Sequence, residues 1–270
     1  MYLLFDIGGT KTRLAISRDG ENFMSFEIKD TPEDFESGIT MFGEYVKSQG
    51  IGIQKVVGGI AGVLNSEKTT LTFSPNLAGW IGKNLKSSLS RIVGTKEVYL
   101  ENDAALDGLG EAVFGSGKGA RIVAFITVST GVGGARIVNK RIDVSNYGFE
   151  PGHQILEVGQ KGLIDLEGLI GGASIQKKYN ISPMDLKDDN IWQEIYHHLA
   201  IGLTNVSVFW SPDIIVLGGG VVASDYFSID SLTAKFKEVF NVFPEIPIIK
   251  KSTLGDHAGL YGALHLLKQN

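Results

Sequence analysis

YLLFDIGGTKTRLAIS (residues 2–17) and ITVSTGVGGARIV (residues 126–138) share one layout: an apolar run, a turn of threonine and glycine, then a second apolar run. Each predicts a β-hairpin closed through glycines. The unit recurs once in each half of the chain, which reads as a weak repeat of supersecondary structure and not as a solenoid. Around the first hairpin, FMSFEIK (23–29) predicts a third strand. KVVGGIAG (55–62) predicts a buried strand ending in glycines, and VYLEND (98–103) a strand feeding the helix DAALDGLGEAVFG. Between them, residues 31–50 predict a helix opening at a capping-box-like Thr31 with Pro32 in its first turn. Phe35, Ile39, Phe42 and Val46 keep its helical spacing. After the second hairpin come a long helix over 191–210, the strand DIIVLGGG (213–220) and a closing helix HAGLYGALHLLKQ. In that last helix Gly259 and Gly262 predict close helix packing. The expected architecture is two similar α/β halves with a nucleotide between them. Residues 1–115 plus 257–270 would form a small lobe and 116–256 a large one, the boundary falling in GSGKG (115–119).

Composition narrows the function. Apolar residues make up 43% and charged residues 20%, so a packed globular protein is expected. A net charge of −5 with no basic window argues against nucleic acid. There are no cysteines, which excludes disulfides and thiolate metal sites. MYLLFDIGGT lacks the basic start of a signal peptide, and no apolar run approaches the ~20 residues of a membrane helix. The expectation is a cytoplasmic protein with neither membrane nor nucleic-acid partner. Thirty-five glycines stand in 270 residues, about twice the ~7% average usage, and they cluster at predicted strand ends. Glycine there lets backbone turn tightly or approach a ligand.

Neither the P-loop pattern nor a strand-borne GxGxxG is present. Asp6-Ile-Gly8-Gly9-Thr10 and Thr130-Gly131-Val-Gly133-Gly134 nonetheless offer backbone N–H groups, hydroxyls and no obstructing Cβ, which suits a phosphate cradle. Each alone could be an ordinary hairpin turn; as a pair, with Gly218, Gly219 and Gly220 downstream, they favour a phosphate clamp. Asp6 beside such a loop suits Mg²⁺ held through water, since that ion dehydrates reluctantly. Lys11 reads either as a phosphate contact or as a solvated hairpin lysine. His197, His198, His257 and His265 keep the bland reading of helix histidines.

DIGGTK, FSPNLAGW, ENDA, STGVGG, E-x-GH, LEGLIGG and DIIVLGGG, in that order, resemble the ROK family of sugar kinases and repressors from Asp6 to the last helix. The resemblance implies the duplicated ribonuclease-H-like fold of actin and hexokinases, with ATP and Mg²⁺ as cofactors. It places Asp103 as catalytic base and Asn102 as a sugar-hydroxyl ligand. Gly62 and Asn76 would line the sugar side, and Glu150, His153 and Glu167 would grip sugar hydroxyls. The residue chemistry agrees for Asp103, because a carboxylate must accept the proton of a hydroxyl attacking the γ-phosphate. Capping of the following helix is the competing role for Asn102 or Asp103. Ala105 departs from the family, which often has a second asparagine there.

The stretch GFEPGHQILEVGQKGLIDLEG (148–168) departs further. The family places a histidine and three cysteines around a structural zinc in this region. Here the segment is shorter, has no cysteine, and carries Asp165 where the last cysteine would be. A structural zinc needs about four ligands, mostly thiolate or imidazole, so none is expected. Apolar packing from Ile155, Leu156, Leu163 and Ile164 is expected to support the shortened loop instead. The reading is an ATP-dependent hexose kinase acting first of all on the 6-OH of glucose, with N-acetylhexosamines, mannose and fructose as alternatives. Rivals are a non-catalytic sugar sensor, a phosphatase or a CoA-linked ATPase of the same superfamily. With five residues before Asp6, no repressor-type DNA-binding segment is expected there. A homodimer is compatible with the sequence.

Overall fold

The computed structural model describes residues 1–159 and 162–269. The chain divides into two compact units. Met1–Val113, Val144–Gly148 and the residues from Asp256 onward form the first; Phe114–Asp143 and Phe149–Gly255 form the second. The observed limits differ from 115 and 257. The chain leaves its helix at Val113, and Asp256 belongs with the first unit, where Arg13 Nη2 donates to its carboxylate at 2.6 Å.

In the first unit β1 (Tyr2–Ile7), β2 (Lys11–Ser17) and β3 (Phe23–Asp30) form an antiparallel meander. Helix α1 (Phe35–Gln49) leads to β4 (Lys55–Ile60), parallel to β1. A small pair, β5 (Val63–Leu64) and β6 (Leu71–Phe73), and α2 (Leu85–Val93) precede β7 (Val98–Asn102), parallel to β4. Helix α3 (Asp103–Val113) follows β7 without a break. The sheet order is β3-β2-β1-β4-β7, and Leu3, Phe5, Ile7, Val56 and Ile60 pack with Phe42 in its core. The first helix starts later than Thr31. Asp34 is its N-cap, accepting from Ser37 N at 2.9 Å, and Gly50 ends it in the left-handed conformation. Thr31 is used otherwise: its hydroxyl donates to Gly8 O at 2.8 Å and pairs with Thr12 Oγ1 at 2.9 Å.

The second unit repeats the pattern. β8 (Ile122–Val128), β9 (Val132–Val138) and β10 (Arg141–Ile142) form the meander. A hairpin of β11 (Ile155–Gly159) and β12 (Gly162–Asp165) leads to α4 (Leu166–Ile170), α5 (Gly172–Tyr179) and the long α6 (Asp189–Trp210). β13 (Ile214–Gly218), α7 (Gly220–Ala223), α8 (Ile229–Val239) and β14 (Ile248–Lys251) complete it. Its sheet order is β10-β9-β8-β13-β14, again three antiparallel strands followed by two parallel ones. Two sheets of one topology in one chain make the duplication visible, and with it the actin/hexokinase-type fold. Strands β4 and β13 are buried on both faces, which is why KVVGGI and IIVLG read as continuous apolar runs and do not alternate.

The chain ends in α9 (Ala258–Leu266), which returns to the first unit and packs on α3. A Cβ added to Gly262 would overlap Leu106 O, and one at Gly110 would overlap Ala258 O, so the two backbones touch through glycine. His257 ends the 3₁₀ turn Gly255–His257 just before this helix, at its N-cap position and without a side-chain cap bond. Among the described residues no helix is long and apolar enough to cross a membrane.

Candidate active site

In an open sheet with parallel strands, ligands gather beyond the carboxyl ends of those strands. In the first unit Asp6 lies near the end of β1, Gly62 follows β4, and Asn102 ends β7 with Asp103 opening α3. Asn102 performs its capping role and more. Its Oδ1 accepts from Ala105 N at 3.0 Å, while its Nδ2 donates to Gly62 O at 3.0 Å and to Asp103 Oδ1 at 3.1 Å. One amide thus ties the strand end, the glycine after β4 and the Asp103 carboxylate together. Gly62 has φ 126°, and a Cβ there would overlap Phe73 O, so only glycine fits. Beneath, buried Glu101 pairs with Lys68 and accepts from Asn102 N at 3.0 Å.

The first turn is partly closed on itself. Gly8 N–H donates to Lys11 O at 2.9 Å and Gly8 O accepts from Thr31, so Gly8 is committed to the fold on both sides. Lys11 pairs with Asp30 at 2.5 Å on the surface. Gly9 faces Asn76: a Cβ on Gly9 would stand 2.5 Å from Asn76 Cβ, which brings the exposed Asn76 to the turn. Thr10 is exposed at its tip.

Three carboxylates gather on the inner side. Burial, with Asp103 nearby, pushes Asp6 up to about 7, although Arg13 Nη1 at 3.4 Å pulls it down. Burial also raises Asp103, against the backbone N–H groups of the α3 start. Asp107, one turn on from Asp103, is raised well above the ordinary carboxylate value by burial, then by Asp6 and Asp103. A Cβ on Gly259 would stand 3.0 Å from Asp6 Cγ and 3.1 Å from Asp107 Oδ1, so both carboxylates lie against α9. Asp6 Oδ1 is buried with no partner. An unpaired, buried carboxylate oxygen is a donor of the kind Mg²⁺ takes, and Asp6 fits that ion.

Asp107 carries a prediction. Its pKa is higher folded than unfolded, so the unfolded chain ionises first and stability falls as pH rises from the ordinary carboxylate value through the raised one. Asp107→Asn removes that cost. The variant should melt above the wild type at pH 7 and coincide with it near pH 4; thermal scans giving a pH-independent difference would refute this.

In the second unit the turn after β8 is bound to the helices that follow the hairpin. Glu167 Oε2 accepts from Val132 N at 2.7 Å, and a Cβ on Gly131 would overlap that oxygen. Ser129 O and Thr130 O accept from Gly172 N at 2.7 Å and Ala173 N at 3.0 Å, at the start of α5. Glu167, Thr130, Gly131 and the IGG glycines therefore form one local assembly, with Gly133 next in β9. Gly218 ends β13, and a Cβ on Gly219, which stands at φ 90°, would overlap Val128 O. Gly220 opens α7 with open space around it.

Glu150 precedes, and His153 ends, a single 3₁₀ turn, Pro151–His153. Gln154 holds this turn through Nε2 to Pro151 O at 2.7 Å and is itself held by Asn205 Nδ2 at 2.8 Å. His153 Nδ1 meets Asp165 Oδ2 at 2.9 Å. The expected apolar support of the hairpin is only half right. Leu156 packs on the core and Ile164 is partly buried, but Ile155 and Leu163 are exposed. A two-stranded hairpin has one face on the protein and one in water, so alternate residues must face out. His198 is not isolated: Glu157 and Glu194 stand 3.9 and 3.8 Å from its ring nitrogens. Among the described residues no group of three or more His, Cys, Asp or Glu is placed to hold a metal ion.

Arg13, Asp107 and Asp256, which interact with Asp6 or with one another, are absent from the sequence reading. Two left a signal. Arg13 is the register partner of Asp6 in the β1–β2 hairpin, and Asp107 lies four residues from Asp103 on one helix face. Asp256 left none, because only tertiary contact brings it to Arg13.

Known proteins resemble this chain over its full length. It is 30% identical to an N-acetyl-D-glucosamine kinase of Escherichia coli, over 98% of this chain and 99% of that protein. It is 25% identical to a glucokinase of Streptomyces coelicolor, over 98% and 96%. A ROK family glucokinase from Streptomyces griseus, solved with glucose and AMPPNP, superposes with TM-score 0.81 at 24% identity, covering 99% of this chain and 100% of that one. The profile of the ROK family matches residues 2–270, and the chain belongs to that family.

Proposed function

We propose that the protein transfers the γ-phosphoryl group of ATP to a hydroxyl of a hexose, with Asp103 as general base. Asp103 takes the proton of the sugar hydroxyl, whose oxygen bonds to the γ-phosphorus as the bond to the β–γ bridging oxygen breaks and ADP leaves. The observation that supports this reading is the Asn102 amide, whose Nδ2 donates both to Asp103 Oδ1 and to Gly62 O beyond the end of β4. Gly62, Asn76, Asn102, Glu150, His153 and Glu167 are the proposed sugar ligands.

Phosphate contacts would come from Gly9 and Thr10 and from the Thr130–Gly133 turn, with Gly8 and Lys11 bordering them and Gly218–Gly220 beside the adenosine. Asp6 would hold Mg²⁺ through water, and the ion would supply charge neutralisation on the transferring group. Glucose and N-acetylglucosamine are the first sugars to test, being the ones in the names of the E. coli and S. coelicolor relatives.

The test is ADP formation with ATP and Mg²⁺ across glucose, N-acetylglucosamine, N-acetylmannosamine, mannose and fructose. ADP formation should rise clearly above the sugar-free rate with at least one of these sugars. Sugar binding without turnover would identify a sensor. ATP hydrolysis indifferent to sugar would identify another ATPase of the fold.

A further inference from the structure

We propose that Asp165 is a positioning residue for the sugar site, holding His153 by its ring while it caps the helix that carries Glu167. The proposal rests on the kinase reading for the ligand. The clamp itself rests on two hydrogen bonds made by one carboxylate. Asp165 Oδ2 lies 2.9 Å from His153 Nδ1, and Oδ1 accepts from Gly168 N at 2.8 Å as N-cap of α4.

Asp165 joins the elements that need joining. The backbone of the His153 turn is held through Gln154 and Asn205, and Leu166 N donates to Gln154 O at 3.0 Å. Those bonds fix where His153 starts but not where its half-exposed ring points. Asp165 supplies that second constraint. An ionised carboxylate only accepts, so Nδ1 must carry a proton and Nε2 is the nitrogen left for a ligand. On α4, one oxygen of Glu167 is taken by Val132 N, which leaves Oε1 to accept from a sugar hydroxyl. Asp165 thereby sets a ring nitrogen and a carboxylate oxygen in fixed relation, as gripping neighbouring hydroxyls requires.

The charges around the ring agree with a hold of this kind. The hydrogen bond that His153 donates to Asp165 raises the imidazole, with Glu167 and Glu150 adding to it, against partial burial. Asp165 in turn lies below the ordinary carboxylate value: burial opposes this, but the bonds from His153 and the Gly168 N–H outweigh it.

Asp165→Ser separates the two duties. Serine is as good an N-cap as aspartate but is too short to reach the imidazole. The variant should melt within about 2 °C of the wild type, since serine keeps the cap. Its sugar KM should rise about tenfold with kcat and the ATP KM within about threefold, the pattern of lost ground-state binding. By NMR, without sugar, the His153 imidazole pKa should fall toward the free value near 6.5. Asp165→Ala, which loses the cap too, should show the same KM and pKa shifts with a lower melting temperature. An unmoved imidazole pKa, or an unmoved sugar KM with the pKa shifted, overturns the proposal. Absence of sugar-dependent turnover in the wild type overturns the kinase reading instead, and the imidazole pKa still decides for or against the clamp.

Discussion

Replacing Asp103 by asparagine is expected to lower kcat about 10³-fold and leave the sugar dissociation constant within about threefold. A positioned general base contributes about 10²–10⁴ to rate, and asparagine has the shape of aspartate but cannot take the proton. Sugar affinity should survive because Asn102, Gly62 and the helix start do not depend on the charge. Asn102 keeps its own cap to Ala105 and its bond to Gly62 O. Single-turnover kinetics with calorimetry of sugar binding would check both halves. Near-normal turnover would remove Asp103 from the reaction.

The same assignment has a pH signature. Burial raises Asp103, and the base must be ionised to act. Activity should therefore be lost as pH falls through a value above the usual carboxylate range, and the acid limb of kcat/KM should be absent from the residual rate of the asparagine variant. An acid limb at the ordinary carboxylate value, or one that persists unchanged in the variant, would point to another group.

The second large effect is structural. Gly262→Val should destabilise the first unit by about 3 kcal/mol, at the upper end of overpacking, and lower its melting temperature by about 10 °C. A Cβ at residue 262 would overlap Leu106 O and stand 2.6 Å from Leu106 C, so a rigid backbone must move and not a flexible side chain. Leu106 lies one turn from Asp103, hence the folded fraction should also lose kcat. Gly43→Ala makes the control. Gly43 sits inside α1 with nothing within 4 Å of its built Cβ, so alanine there should stabilise by about 0.5–1 kcal/mol. Equal melting of Gly262→Val and wild type would show that α3 and α9 do not meet as described.

Much of this was legible in the residues. The two hairpins, the buried strands at 55–60 and 214–218 and the long helix at 191–210 follow from apolar pattern and glycine position, which are local properties. Sequence and structure differ where a local signal has two physical outlets. Thr31 looks like a helix cap, but its hydroxyl is taken by Gly8 O across the sheet edge, and Asp34 caps instead. Ile155 and Leu163 look like core residues, yet a hairpin exposes alternate side chains, and only packing against the rest of the unit selects which.

The site divides in the same way. The resemblance carried by the ordered motifs marks Asp103, Asn102, Glu167 and His153 as candidates for the chemistry, and the absence of cysteine removes thiolate zinc ligation at residues 150–167. What the sequence could not determine is which groups share one environment. The raised pKa of Asp6 depends on Asp103, nearly a hundred residues away, and on burial under α9. The orientation of His153 depends on a carboxylate that also caps a helix. Local pattern sets each element because backbone propensity and periodicity act over a few residues. Electrostatics and hydrogen bonding act through space, so only the tertiary structure decides which charge faces which partner.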